Sequence, residues 1–432
     1  MPHRNLMVLL AAALASIVCH HRVETNRYGR VLLEAMRQIE SRYVEPIPTG
    51  DLFEGAMEGM IEKLNDPYSQ FITARDLRQF NESLNQEFGG VGMEVSQDAK
   101  TRQLRVVAPL YGTPAYKAGI RAGDRILRIE GRGTHGLSLT DAVRLMRGKP
   151  GTTVTLEILH AGESEPVELV IRRRQIPIDT VLGDTRNPDG TWNFTLEGHP
   201  EIGYVRVNAF SRETAANLRK IIGKLLEDGM KKLILDLRDD PGGMLDAAID
   251  LSDMFLREGL IVSVRRRGYS ERYSASARGT LPDFPMVVLV NQQSASASEI
   301  VAACLKDHGR AKIAGQRTYG KGTVQQVLDL EGGHGAVKIT TASYWRPSGR
   351  NINRKIDSTG EDDWGVCPSP GMEVALDSEE SSRLRVWRLR RDIPRGNGAV
   401  PDDDDADFVD RQLQRAVESL QEQLPQTEGR DR

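Results

Sequence analysis

Between Glu201 and Trp345 short apolar runs alternate with helix-length stretches, and this alternation constrains the fold more than any other feature of the chain. Residues 202–207, 232–237, 260–264, 286–290 and 311–314 read as strands, and 213–226, 244–255 and 297–307 read as helices. Strands separated by such helices are predicted to lie parallel, because a parallel neighbour is reached only by a crossover, and the crossover helix then covers the sheet. Residues 324–330 and 336–342 predict a hairpin across Gly332-Gly333.

The flanking segments have different periods. Residues 87–174 hold short strands and Gly-rich turns, with one helix at 140–146, and predict a small β-rich module. Upstream, Val31, Leu32, Ala35, Met36 and Ile39 recur at helical spacing, as do Leu52, Ala56, Met57, Met60, Ile61 and Leu64 after the break Glu45-Pro46-Ile47-Pro48. Residues 73–84 read as a third helix of this arm. The fold class is therefore multi-domain α/β: a leader (1–25), a helical arm (26–86) for capping or dimerisation, the β-rich module (87–174), an α/β core (175–366) and a tail (367–432). Within the tail, 368–400 is polar and irregular, the acidic run 402–405 reads as a solvated linker, and Phe408, Leu413, Val417 and Leu420 predict a terminal helix.

Arg4 precedes an apolar run from Leu6 to Val18, which has the length of a signal h-region and is short for a membrane span. Three outcomes stay open: a cleaved signal, an uncleaved membrane tether or lipidation of Cys19. Each places the rest of the chain outside the cytoplasm, in a periplasmic or secreted setting.

A formal net charge of -3 and 5% aromatic residues give no basic, aromatic surface, so nucleic acid is not expected as a partner. Three cysteines, Cys19, Cys304 and Cys367, exclude complete internal pairing, and Cys304 reads as a small buried residue. No cluster has metal-ligand spacing, and no metal or cofactor is expected.

The residues able to do chemistry cluster at strand ends. Ser294-Ala295-Ser296-Ala297-Ser298-Glu299 follows an apolar strand and opens a helix, where a serine is held rigidly among forward-pointing amides. Helix capping by Ser294 or Ser296 is the plainer alternative. A nucleophilic serine needs a base, but His308 and His334 sit in a polar helix end and a hairpin turn. Lys321 lies in Tyr319-Gly320-Lys321-Gly322, where glycines allow close backbone approach; a lysine serves as base only where burial makes the neutral amine accessible. Gln325 could hold that amine, or be a structural glutamine. Gly315 to Lys321 also fits G-x-x-x-x-G-K, but Gly322 replaces the required Ser or Thr and a strand follows, which excludes a phosphate loop. Asp239-Asp240-Pro241-Gly242-Gly243 makes a strand-to-helix turn whose N–H groups could face an oxyanion, or simply a tight turn.

Taken together and in order, Pro-Gly-Gly, Ser-Ala-Ser-Ala-Ser-Glu and Tyr-Gly-Lys-Gly-Thr-Val-Gln resemble the carboxyl-terminal processing peptidases, or tail-specific proteases, over residues 30–360. The resemblance implies a core of the ClpP/crotonase-like type, with Ser296 as nucleophile, Lys321 as base, Gln325 as its assistant, and Gly242 and Ala297 as oxyanion donors. It implies that 87–174 is a PDZ domain whose loop Gly90-Val91-Gly92-Met93 captures polypeptide C-termini, and that a basic residue, here Arg147, couples capture to activation. An activating adaptor and a homodimer or higher oligomer belong to the same expectation. The chain departs from the family at Gln292-Gln293, where Gly is common, at Asp240, where Asn is common, and beyond Trp364-Gly365-Val366, where the usual tail pattern is lost. The rival reading is a catalytically silent PDZ scaffold.

Overall fold

The structure is a computed structural model of the chain and describes residues 27–77, 88–98, 101–176, 179–355, 357–393 and 408–422. The leader, the acidic run and most of the expected third helix of the arm lie outside the described residues; residues 74–77 of that helix are helical. Contacts divide the chain into two units, residues up to 77 with 325–340, and the remainder.

In the first unit, the helices Arg27–Arg42 and Thr49–Glu62 precede a strand, Gln70–Ile72, in a segment expected to be wholly helical. This strand pairs antiparallel with the start of Ala336–Trp345, Phe71 opposite Val337. Phe53 meets the Phe71 ring edge-on at 6.0 Å. Asp66 ends the preceding helix by accepting from the Tyr68 N–H and the Ser69 hydroxyl, which turns the chain into the strand.

The second unit holds the β-rich module and the core. In the module, Met93–Gln97, Leu104–Pro109, Arg125–Ile129, Thr153–Leu159 and Val167–Arg172 form an antiparallel sheet in that order, so Met93–Gln97 is an edge strand. Its apolar face, including Leu104, Val106, Ile126 and Leu156, packs on Ala142 and Met146 of the helix Leu139–Met146. That helix starts where the Ser138 side chain accepts the Asp141 N–H.

In the core, His199–Val207, Lys232–Asp236, Met286–Val290 and Lys312–Gly315 lie side by side and parallel, in chain order. Strands added in one direction by crossovers of one hand put every crossover helix on the same face. Thr214–Glu227, Leu245–Asp253 and Ala297–Asp307 accordingly share one cluster with Val205, Leu233, Leu235, Val288 and Val290. Because strand side chains alternate, Tyr204, Ile234, Val287 and Leu289 face the other way. Leu413, Ala416, Val417 and Leu420 of the terminal helix Arg411–Glu422 cover them.

Two expectations are corrected. Leu260–Arg266 is not part of the parallel sheet. It turns at Gly268 (φ +92°) into the antiparallel strand Tyr269–Ser274, and pairs on its other side with the end of Ala336–Trp345, Val264 opposite Tyr344. Residues 368–400 are not wholly irregular, because Ser378–Arg391 is a helix opened by a capping box in which Asp377 and Glu380 each accept the other's N–H. Its lack of apolar periodicity hid it; ion pairs hold it instead. Arg388 reaches Asp184 at 3.2 Å and Asp410 at 3.4 Å, and Arg385 reaches Glu94 of the module at 2.6 Å. Leu389 and Ile393 pack on Ala108 and Tyr116.

Candidate active site

The loops after Lys232–Asp236 and Met286–Val290 face each other at the carboxyl ends of parallel strands, where an open α/β sheet presents its crevice. Beneath them lies a buried ionic knot. Arg238 holds Asp236 at 2.6 Å and Asp410 at 2.9 Å, and the Tyr204 hydroxyl donates to Asp236 at 2.5 Å. Burial alone would raise the Asp236 carboxyl, but the Arg238 guanidinium pulls it down to about 2. Asp410 is held below the usual range in the same way, against its burial. The knot anchors the residue from which Asp239-Asp240-Pro241-Gly242-Gly243 departs.

The three serines of the second loop have different tasks. The Ser294 hydroxyl donates to the Leu237 carbonyl at 2.7 Å and accepts the Asn291 N–H at 2.9 Å, which fixes the turn. The Ser298 hydroxyl donates to the Asp240 carbonyl at 3.0 Å and ties the two loops together. Ser296 has φ 56° and ψ -111°, a conformation that a side-chain-bearing residue adopts only where its surroundings hold it. This is the strained strand-to-helix corner that presents a serine at the start of a helix. Beside it stands the buried phenol of Tyr344, which burial, the larger influence, pushes up to about 12 and the Ser296 side chain lowers. Sequence reasoning missed Tyr344, which is one aromatic in a strand with no motif around it.

Glu299 organises the site. Its Oε2 accepts the Ser296 N–H at 2.9 Å and the Lys321 N–H at 2.8 Å. Its Oε1 accepts the Gly320 N–H at 2.7 Å and the Thr318 hydroxyl at 2.5 Å. Burial raises this carboxyl, and the four donors oppose the rise. Ser296 and Lys321 are therefore brought together through one carboxylate oxygen. The glycines around Lys321 are needed for close passage: a Cβ on Gly322 would lie 2.3 Å from the Asn353 nitrogen, and one on Gly320 2.7 Å from the Arg354 Cβ. Gln325 belongs to the first unit, where its Nε2 donates to the Thr340 hydroxyl at 3.1 Å.

Across from Ser296 stands Gly242, with φ +94°; a Cβ here would lie 2.6 Å from the Ala295 carbonyl oxygen and 2.8 Å from the Ala297 nitrogen. The Gly242 N–H, expected to face an oxyanion, donates instead to Asp240 Oδ1 at 2.8 Å. Ala297 opens its helix, and no acceptor among the described residues takes its N–H. The turn thus brings Gly242 beside Ala297 but leaves its amide engaged.

In the module, the Ala115 N–H holds the Val91 carbonyl at 2.8 Å, and the Leu110 N–H and Thr113 hydroxyl hold the Gly92 carbonyl at 3.0 and 2.7 Å. These bonds hold the Val91 and Gly92 carbonyls of the loop Gly90-Val91-Gly92-Met93, and Gly92 (φ +77°) makes the turn. Arg147 caps the helix Leu139–Met146 and is half-buried. The buried guanidinium beneath the loop is that of Arg173, which donates to the Met146 and Leu145 carbonyls at 3.0 and 2.9 Å. The helix end it holds leads to Gly148, whose N–H donates to the Gly89 carbonyl. Arg173 stands in the run Arg172-Arg173-Arg174, which reads in sequence as an ordinary polar strand end.

Residues 201–362 match peptidase family S41, residues 105–160 match a PDZ domain, and residues 21–75 match the N-terminal domain of the activating protease CtpB. A carboxy-terminal-processing protease of Bartonella bacilliformis is 38% identical over 80% of this chain and 78% of its own length. The carboxy-terminal processing protease CtpA of Bacillus subtilis is 35% identical over 75% of this chain and 66% of its own. A solved photosystem II D1 C-terminal processing protease aligns with a TM-score of 0.49 and 29% identity, over 80% of this chain and 92% of that one.

Proposed function

This chain belongs to the carboxy-terminal processing proteases, serine peptidases of family S41 that carry a PDZ domain, and on that premise we propose that it cuts polypeptides with a Ser296–Lys321 dyad. One observation carries this reading above the rest: Glu299 Oε2 accepts the backbone N–H of both residues. A scaffold has no use for a strained serine and a glycine-flanked lysine on one buried carboxylate, and the silent-scaffold alternative is not supported.

A substrate C-terminus is captured by the amides of the Gly90–Met93 loop, and the chain behind it adds to the free edge of Met93–Gln97. The Lys321 amine takes the Ser296 proton as the hydroxyl oxygen attacks the scissile carbonyl. The Ala297 N–H, with the Pro-Gly-Gly turn beside it, receives the oxyanion. The protonated amine then gives its proton to the leaving nitrogen, and water hydrolyses the acyl-enzyme. The leader assigns this work to an extracytoplasmic compartment. On the helix Arg27–Arg42, Val31, Leu32, Leu33 and Ile39 are exposed, which suits the arm to a second copy or an adaptor.

The test uses protein lacking residues 1–25 and a partly unfolded substrate with an apolar C-terminus. Ser296→Ala and Lys321→Ala are expected to lower kcat/KM by at least about a thousandfold with the fold intact, and amidation of the substrate terminus to slow cleavage. Turnover retained in Ser296→Ala would overturn the dyad.

A further inference from the structure

Asp240 is a carboxyl group in an unusual position. It is fully buried, its Oδ1 accepts the Gly242 N–H at 2.8 Å, and its Oδ2 is buried with no hydrogen-bond partner among the described residues. Its own carbonyl accepts the Ala295 N–H and the Ser298 hydroxyl, both at 3.0 Å, so it is built into the junction of the two loops. Gly242, which it holds, is the residue with no room for a Cβ against Ala295, Ser296 and Ala297.

We propose that Asp240 is a positioning residue that works as a neutral acid, and that its ionisation closes the oxyanion site. A carboxylate oxygen buried with no donor is strongly disfavoured, whereas a carboxylic acid at the same place is not charged. A protonated aspartic acid has the shape of asparagine, with a carbonyl oxygen that accepts and an O–H in place of the N–H₂. As a neutral acceptor it holds the Gly242 N–H lightly, so that this amide can be shared with a developing oxyanion. As an anion it binds the same amide tightly and sets a negative charge beside the place where negative charge must form.

Among the described residues no cation is hydrogen-bonded to the Asp240 carboxyl. From its own loop come Asp239, bonded to Asn291, and Arg238, engaged by Asp236 and Asp410. From the serine helix comes Glu299, a second acid, and from neighbouring segments come Lys321 and Tyr344. Burial pushes the Asp240 carboxyl well above the ordinary range, against the pull of the Gly242 N–H and Ser298.

The inference rests on the Ser296 reading, and the test separates the two. Cleavage, and labelling of Ser296 by a reactive phosphonate, are followed against pH in the wild type and in Asp240→Asn. The acid limb, which follows the base, is expected to be the same in both. On the alkaline side the wild type falls about tenfold per pH unit, and Asp240→Asn, within about threefold of the wild type at neutral pH, stays flat until the fold fails. Infrared difference spectra of the two proteins in the Ser296→Ala background should show a protonated-carboxyl band that Asp240→Asn lacks. A shared alkaline limb, an inactive but folded Asp240→Asn, or no difference band overturns the proposal. If the wild type neither cleaves nor labels at any pH, the Ser296 reading fails, and the infrared band still decides whether Asp240 carries a proton.

Discussion

The two loops beside Ser296 are each organised around a buried carboxyl group, and they are held in opposite ways. Glu299, under the serine loop, collects four donors from two stretches of chain. Asp240, in the Pro-Gly-Gly loop, has one donor on Oδ1 and, among the described residues, none on Oδ2. Burial raises both acids, Asp240 the further. The cost of burial is common to the two; the number of N–H and O–H groups aimed at each sets how far each departs from an ordinary carboxylate. The serine loop is thus fixed from within by its acid, while the Pro-Gly-Gly loop takes its rigidity from the ionic knot at Arg238 and from lack of space around Gly242.

The strongest way to break this contrast is Glu299→Ala. It strands four donors at once, and with about 1.5–3 kcal/mol for each bond to a charged group, a loss of about 5 kcal/mol or more in denaturant unfolding is expected, with no cleavage. On the other loop, Arg238→Met leaves Asp236 buried without its paired guanidinium and Asp410 with Arg388 alone, and should cost about 3–5 kcal/mol. This substitution also has a pH signature. Asp236 is depressed from 3.8 to about 2 on folding, so its stabilisation is complete above about pH 4 and is lost as pH falls through about 2. At about 1.4 kcal/mol per unit it amounts to about 2 kcal/mol, and Arg238→Met should remove this acid dependence from melting curves.

Gly242→Ala tests the lack of space. A Cβ 2.6 Å from the Ala295 oxygen must displace the turn, and a loss of about a hundredfold in kcat/KM is expected with stability less affected, the size of one displaced oxyanion donor. Tyr344→Phe sharpens the contrast at the smallest scale. It removes the phenol oxygen beside Ser296, and with about 1 kcal/mol as the scale of one neutral hydroxyl interaction, kcat should change about fivefold while Glu299 keeps the loop in place.

Much of this was legible in the sequence where a local pattern had one physical solution. The strand Met286–Val290 and the helix Ala297–Asp307 begin and end as their periodicity predicts. The run Ser294–Glu299 stood out because it lies between an apolar strand and a helix, and Lys321 because glycines flank it; the choice of Ser296 among the three serines came from the family resemblance. What stayed hidden depends on partners distant in sequence. Glu299 stood in the serine motif with no assigned role, because three of its four donors come from residues 318–321. Arg173 looked like one arginine among three, since its buried acceptors are carbonyls and every residue has one. The helix Ser378–Arg391 carried a readable sign in Asp377 and Glu380, but its charged residues face Asp184, Asp410 and Glu94 rather than an apolar core, and no periodicity reports that.

The helix that covers the far face of the parallel sheet has a consequence for the order in which the protein is made. On a ribosome, the strands Lys232–Asp236 and Met286–Val290 emerge with both faces apolar, and their crossover helices can shield only one. Ile234, Val287 and Leu289 wait for Leu413, Ala416, Val417 and Leu420, and Arg238 waits for Asp410. Ser296 is synthesised more than a hundred residues before the helix Arg411–Glu422 that finishes the sheet. A nascent chain therefore carries the Pro-Gly-Gly, serine and lysine motifs before the sheet beneath them is complete, and a chain released before residue 410 is expected to keep the motifs, expose an adhesive sheet and cut nothing.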